Sequence, residues 1–411
     1  MTPPPSPAVE GGAAAAGHGG RRRHVLLFPL PYQGHINPML RLAGVLRARG
    51  FAVTVFHTHF NAPDAARHPE HRFVAVPDGM SGRPPPVSVG DVVKHIRALN
   101  AACEAAFRDR LAAVLAEYSR DAVACLVADA HLLRMSQLDM PVSELPPYRV
   151  RDLMHIGRDG HELMCELLAR AVAAVKLSSG LILNTFDALE AHELAKLRRD
   201  LAVPVFDIGP LHRFSPAADG SLLHQDRSCL AWLDAQTAES VLYVSFGSLA
   251  SMGARELVET AWGIAGSGVP FLWVVRPGLV RGRRAAPGEP TRLLPEGFEA
   301  ATRRRGVVVA WAPQEEVLRH RAVGGFWTHN GWNSTTESLA EGVPMLCRPS
   351  FGDQMGNARY VEHVWKAGFE VVGGELERGA VEEAIRRLMA ESDGGEMRAR
   401  ARELKKAAAE I

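Results

Sequence analysis

The sequence predicts an α/β protein built from two doubly wound domains, and three observations carry that prediction. Apolar runs of strand length alternate with segments of helical spacing from residue 24 onward. A strand, turn, helix and strand follow one another twice, from His24 and again from Val241. The 411 residues are too many for one average domain and suit two.

In the first half, His24 to Leu30 is a β run, PYQGHINP reads as a turn, and MLRLAGVLRARG has helical spacing closed by Gly50, a common stop signal. Phe51 to His57 and Phe73 to Val76 are strands, and Gly79 to Val89 is a Gly/Pro-rich loop. A helical pattern runs from about Val92 to Tyr118, and Ala122 to Ala128 is a buried strand ending in Asp129. In doubly wound sheets ligands bind beyond the carboxyl ends of the strands. His35 and Asp129 both belong there. His35 fits a structural cap, the commoner use, or a general base. Asp129 fits a strand-end turn, a helix cap or a partner for His35, in which case it would fix the imidazole tautomer and stabilise its protonated form.

Asp159 to Lys176 is helical, Gly180 to Asn184 is a strand, Phe186 to Arg199 is a helix and Val205 to Ile208 is a strand. Gly209 to Arg227, with its Pro, Gly, Ser and Asp, reads as an interdomain linker. The expected domains are therefore 22–208 and 228–411, after a Pro-, Gly- and Ala-rich disordered tail over 1–21 that lacks the apolar segment of a signal peptide. In the second half, VLYVSFGS is a strand ending in a Gly-Ser turn at Ser248. Arg255 to Ala265 is helical, Pro270 to Val275 and Val307 to Ala310 are strands, and Arg276 to Leu294 is a basic solvated loop. Val381 to Met389 and Glu396 to Glu410 are amphipathic helices.

Apolar residues make up 47% and charged residues 23%, ordinary globular usage that favours a sizeable core. A net charge of +1 gives no electrostatic case for nucleic acid or anionic membrane as a partner. No apolar run reaches membrane-spanning length. The five cysteines, Cys103, Cys125, Cys165, Cys229 and Cys347, are scattered and form no CxxC, so neither a disulfide framework nor a zinc site follows. A reducing, cytoplasmic home and a small-molecule enzyme are expected, as a monomer. No GxGxxG follows the first strand, and no GxSxG or HExxH occurs, which argues against a dehydrogenase, an α/β hydrolase and a zinc protease.

The chemistry concentrates in residues 311 to 354, WAPQEEVLRHRAVGGFWTHNGWNSTTESLAEGVPMLCRPSFGDQ. Val323 to Thr328 suits a buried strand, His329 to Trp332 a turn, and Asn333-Ser334 a capped helix start carrying Glu337. A strand running straight into a helix start is an anion site, because the first-turn amides are unpaired and the helix dipole favours negative charge there. His329, Asn333 and Ser334 add side-chain donors, and Ser248 is placed to face them. Trp311 with Gln314 offers a stacking surface for a base, Glu337 can accept from a ribose diol, and Asp353 and Gln354 can bond sugar hydroxyls. Each has a plainer use: Trp311 and Trp332 as core aromatics, Asn333 as a cap, Asp353 in a turn. Taken together, base, ribose, diphosphate and sugar describe a nucleotide sugar.

From WAPQ through HNGWNS to DQ the stretch resembles the signature box of plant secondary-product UDP-glycosyltransferases. The HNGWNS variant, Gly209 to His212 and Gln225 to Cys229 resemble the grass members acting on benzoxazinoids such as DIMBOA. Most of the family has Cys where this chain has Asn330. The resemblance implies the GT-B arrangement, two doubly wound Rossmann-like domains facing a cleft. It also implies that Trp311 stacks on uracil, the Ala312 backbone and Gln314 bond the uracil and ribose edge, and Glu337 takes the ribose hydroxyls. His329, Asn333, Ser334 and Ser248 would hold the diphosphate, and Trp332, Asp353 and Gln354 would face the sugar, with Gln354 favouring glucose. GHINP matches the family's catalytic His motif, and VADAH sits where the family has its Asp. His35, oriented by Asp129, would then transfer glucose from UDP-glucose, as co-substrate, to a hydroxyl of a small acceptor with inversion. Neither metal nor resident cofactor is implied.

Two departures accompany the match. After Leu133 the family continues through a helix, a strand and a helix, whereas RMSQLDMPVSELPPYRVRDL follows here, so one α-β-α step is expected to be missing. The family also continues past Ile411 into a last helix. Loss of an interior strand would leave its neighbours with unpaired backbone and exposed apolar faces. An impaired paralogue that keeps only UDP-sugar binding is therefore the alternative.

Overall fold

We describe residues 23–80, 89–118, 122–129, 169–214, 223–282, 290–371 and 376–410 in a computed structural model of the chain. The expected tail, most of the Gly/Pro loop, the segment after Leu133, the first part of the Asp159 helix and the middles of the linker and the basic loop lie outside them.

The first lobe holds a four-stranded parallel sheet of order β3-β2-β1-β4, made of β1 (His24–Phe28), β2 (Ala52–Thr58), β3 (Arg72–Val76) and β4 (Val123–Ala128). Helices α1 (Gln33–Ala48) and α2 (Val89–Ala116) connect them. Successive residues of β1 supply opposite faces: Val25 and Leu27 enter one core cluster, and Leu26 with Phe28 the other. Strands covered on both faces, as β1 and β2 are, read as unbroken apolar runs; β4, expected to be a buried strand, has no fully buried residue because it is the sheet's edge among the described strands.

α1 begins at Gln33, so GHINP lies within the helix and not in a preceding turn. The sequence alone reads these residues as a turn. Pro38 only lacks the one N–H that would reach back to the Gly34 carbonyl, and that carbonyl has another donor, described below.

Beyond β4 the sheet does not continue among the described residues. β5 (Leu181–Leu183) and β6 (Val205–Asp207) pair only with each other, joined through α3 (Asp187–Asp200). The facing strands are poorly covered: Leu126 on β4 is 40% exposed, Ile182 on β5 39% and Phe206 on β6 50%.

The second lobe is a six-stranded parallel sheet of order β12-β11-β10-β7-β8-β9. Its strands are β7 (Val241–Ser245), β8 (Phe271–Val274), β9 (Gly306–Val309), β10 (Val323–Thr328), β11 (Met345–Cys347) and β12 (Gly368–Glu370). Around them pack α4 (Ala254–Ser267), α5 (Gln314–Arg319), α6 (Trp332–Glu341), α7 (Gln354–His363), α8 (Arg378–Ala390) and α9 (Ser392–Ala409). Val241 and Tyr243 face one core and Leu242 and Val244 the other, with all four buried.

The lobes are joined by more than a linker. Phe186 and Leu189 at the start of α3 belong to the second lobe's core cluster. The Trp365 indole N–H donates to the Leu189 carbonyl at 3.0 Å, and the Tyr360 hydroxyl donates to Glu193. Among the described residues no helix is long and apolar enough to cross a membrane.

Candidate active site

Both sheets reverse their strand order next to their first strand. In the first lobe β1 lies between β2 and β4, and in the second β7 lies between β8 and β10. At such a reversal the loops leave in opposite directions and open a crevice beyond the carboxyl ends of the two strands. His35 follows β1 and Asp129 follows β4; Ser248 follows β7 and His329 follows β10. The two crevices face each other across one cleft of about 2060 Å³, lined by every one of the thirteen candidate residues.

On the first lobe, His35 Nδ1 lies 3.3 Å from Asp129 Oδ2, each side chain 22% exposed. The same carboxylate oxygen accepts the Leu30 backbone N–H at 3.1 Å, which anchors it to the β1 loop. A carboxylate on Nδ1 leaves Nε2 as the nitrogen able to take a proton from something else in the cleft.

On the second lobe, α6 starts with Gly331 as its N-cap and no side-chain cap. Asn333 and Ser334 were expected to cap this helix; they lie one and two residues inside it. The reason is that Gly331 abuts the His329 ring, where an added Cβ would come within 2.6 Å of Nε2, so the cap position has no room for a side chain. Asn333 and Ser334 are thereby freed for other bonds. The first helical bond runs from the Thr335 amide to the Gly331 carbonyl at 3.0 Å, so the Trp332, Asn333 and Ser334 amides precede it at the positive end of the dipole.

His329 is wedged between Gly331 and Gly247. Gly247 has φ +67°, and a Cβ there would lie 2.4 Å from His329 Nε2, so only glycine satisfies both the conformation and the space. Burial and the nearby Arg276 charge push the His329 pKa down to about 4. The imidazole is neutral at pH 7, and Nδ1 is buried without a partner among the described residues. Asn330 follows with φ 60°, fully buried. Asn tolerates this left-handed conformation better than most residues, and its amide donates to Cys347 Sγ at 3.2 Å.

Gln314 and Glu337 form the nucleoside end. Gln314 Nε2 donates to Ser334 Oγ at 2.9 Å and to Glu337 Oε2 at 2.8 Å, while its Oε1 accepts the Tyr243 hydroxyl at 3.3 Å. Glu337 is 5% exposed. Trp311 packs against the core and Ala312 is buried. The Trp332 indole N–H is committed to the Asn184 carbonyl of the first lobe at 2.8 Å. Asp353, exposed, accepts from Asn357 Nδ2 at 3.0 Å. Gln354 is buried and spends its carboxamide oxygen on the Ser350 and Phe351 amides at 2.9 and 3.1 Å, leaving its NH₂ as the group it can offer a hydroxyl.

Residues 164–397 match the family model described as UDP-glucuronosyl and UDP-glucosyl transferase. The chain belongs to this family. The DIMBOA UDP-glucosyltransferase BX8 of Zea mays is 47% identical over 437 positions, covering 93% of this chain and 94% of that protein. Those positions outnumber the 411 residues of the chain, so the maize transferase carries residues within the matched span that are absent here. Among solved structures, Phytolacca americana UGT2 complexed with UDP-2-fluoro-glucose and pterostilbene is 25% identical with a TM-score of 0.78, over 95% of each chain. Os79 from O. sativa in complex with UDP is 27% identical with a TM-score of 0.75, over 93% of this chain and 95% of that one. The transferase fold is therefore GT-B, and the chain is a UDP-glucosyltransferase by kinship.

Sequence reasoning missed four residues of this transferase site. Arg41 on α1 reaches across the cleft to Glu315 and to Glu337, the latter at 3.2 Å. Tyr243 and Asn184 hold Gln314 and Trp332. Arg276, expected in a solvated loop, is instead buried beneath the β7 turn, and Leu279 and Val280 of the same loop pack into the core, so the start of that loop is not solvated. The helical spacing put Arg41 on α1, but nothing in a single sequence says which lobe it faces.

Proposed function

We propose that the chain transfers glucose from UDP-glucose to a hydroxyl of a small plant secondary metabolite of benzoxazinoid or phenolic type, with inversion at the anomeric carbon. The observation that carries the reading is the meeting of the His35–Asp129 pair and the Ser248, His329 and α6 cradle in one cleft. Trp311, the Ala312 backbone and Gln314 take the uracil and its ribose edge, and Glu337 the ribose diol. Ser248, His329, Asn333 and Ser334 hold the diphosphate. Trp332, Asp353 and Gln354 border the sugar. Asp129 fixes Nδ1–H of His35, so Nε2 receives the acceptor hydroxyl's proton as the acceptor oxygen bonds to the anomeric carbon and the bond to UDP breaks. The bond pair leaves with UDP. The reaction as written uses no resident cofactor, and a cytoplasmic monomer is part of the proposal.

A second reading has its own observation. β4 and β5 each lack a partner on one side among the described strands, and the maize relative carries extra residues within the matched span. Both support a chain lacking one α-β-α step of the first lobe, able to bind UDP-sugar and poor at transfer. Calorimetric titration with UDP, followed by UDP-glucose turnover with phenols and hydroxamic acids, separates the readings. Binding with turnover supports the transferase; binding without turnover supports the impaired form. Absence of UDP binding by a cooperatively folded chain overturns both.

A further inference from the structure

Arg276 leaves the end of β8 and tucks its side chain under the turn that follows β7, with 6% of the residue exposed. Nε donates to the Gly247 carbonyl at 2.8 Å, Nη1 to the Pro277 carbonyl at 3.2 Å and Nη2 to the Ala250 carbonyl. Every acceptor is a backbone carbonyl; among the described residues no carboxylate pairs with it. Burial alone pushes its pKa down to about 10, so it stays charged at pH 7, and that charge is felt at His329.

A buried cation answered only by carbonyl dipoles is costly to the fold, which normally supplies a carboxylate. Two of the three carbonyls it binds, those of Gly247 and Ala250, flank Ser248, and Gly247 lies so close to the His329 ring that an added Cβ would clash with it. The Ser248 hydroxyl, the Asn333 amide, the uncharged His329 imidazole and the start of α6 carry no full charge, and Asp353, the carboxylate tied to Asn330 through Asn357, makes no ion pair with Arg276 among the described residues. Arg41, a cation at the nucleoside end, is occupied by two carboxylates. An anion bound in the cleft would supply the missing counter-charge.

We propose that Arg276 is a positioning residue for the donor diphosphate, bracing the Gly247–Ala250 turn beneath Ser248 and supplying the buried positive charge that the diphosphate neutralises. The proposal rests on the UDP-sugar reading above and adds to it a residue outside the cleft lining.

The test compares UDP with uridine, which has the same base and ribose and no phosphate, on the full chain and on Arg276→Met and Arg276→Lys. In Arg276→Met, UDP affinity should fall about tenfold or more, the range for losing a charged hydrogen-bonding group, while uridine affinity stays within about twofold. Arg276→Lys keeps the charge without the fork and should retain most of the preference for UDP. Equal losses for UDP and uridine, no loss for either, or a lysine variant as weak on UDP as the methionine variant would overturn the proposal. If Arg276→Met does not melt cooperatively, Arg276→Lys decides: a retained UDP-to-uridine ratio supports the proposal and a collapsed ratio sinks it. Failure of the unaltered chain to bind UDP would instead sink the donor reading.

Discussion

The side-chain amide of Asn333 donates to the backbone carbonyl of Gly34 at 2.8 Å, joining the first turns of α6 and α1 across the cleft. In an uninterrupted α1 that carbonyl would be bonded by the amide of residue 38, which is Pro38 and has none. A residue that costs the helix therefore releases an acceptor for the other lobe. Pro38→Ala should strengthen α1, since Pro is about 3 kcal/mol worse than Ala within a helix, while giving Asn333 a competitor for the carbonyl. The expected outcome is an unchanged or higher melting temperature with slower turnover. In an Asn333→Ala background the effect of Pro38→Ala on turnover should vanish, because the shared link is already gone. A full additive effect in that background would show that Pro38 acts elsewhere.

His35 and Asp129 should separate cleanly in their effects. His35→Ala removes the proton acceptor and leaves the donor residues on the other lobe intact, so UDP affinity should stay within about twofold while turnover falls by about 10² to 10⁴. Asp129→Asn keeps an acceptor for the Leu30 amide but loses the charge beside Nδ1. Turnover should fall with little change in stability. Asp129→Ala additionally strands the Leu30 amide and should lower stability by about 1–3 kcal/mol. Parallel loss of UDP binding in His35→Ala would mark the histidine as structural.

Arg41 lies between Glu315 and Glu337 with its side chain 11% exposed, so it holds together two carboxylates that would otherwise repel. Arg41→Gln should weaken UDP binding about tenfold, the low end of what a hydrogen bond to a charged group contributes. Neutralising the outer carboxylate as well, in Arg41→Gln/Glu315→Gln, should recover part of that loss. Titration calorimetry reads both, and a double variant no better than the single one would refute charge repulsion as the cause.

What the sequence made legible follows from the range of each interaction. The strand β10, the turn at His329 and the helix α6 are local in sequence, so the cradle could be read from periodicity and turn chemistry. His35 and Asp129 were placed by the rule of strand ends, which depends on strand order more than on contacts. The cross-cleft bonds were not legible: Asn333 is 299 positions from Gly34, and Arg41 is 296 from Glu337. Local preference also misled where packing overrode it. Asn and Ser favour the cap, yet the His329 ring fills that space and Gly331 takes the position. Asn330 takes φ 60° and bonds Cys347, neither of which a sequence states.

The buried histidines set the response to acid. Burial, then the charges of Arg41, Arg319 and Arg213, push the His212 pKa down to about 3, and His329 is held at about 4. Burial also lowers the pKa of His24, His57 and His71. In the unfolded chain each titrates near the ordinary value of about 6.5. Between pH 6.5 and 4 the unfolded state therefore binds protons that His212 and His329 refuse in the folded state, so stability falls as pH falls. The stabilising condition is the neutral ring, fully present above the unfolded pKa. Each such histidine contributes at most about 1.4 kcal/mol per pH unit in that window. Denaturant midpoints should drop from pH 7.5 to pH 5, and His212→Gln should reduce the slope by up to that amount, whatever it does to the midpoint at pH 7.5. An unchanged slope would mean that His212 binds its proton as readily in the folded chain as in the unfolded one.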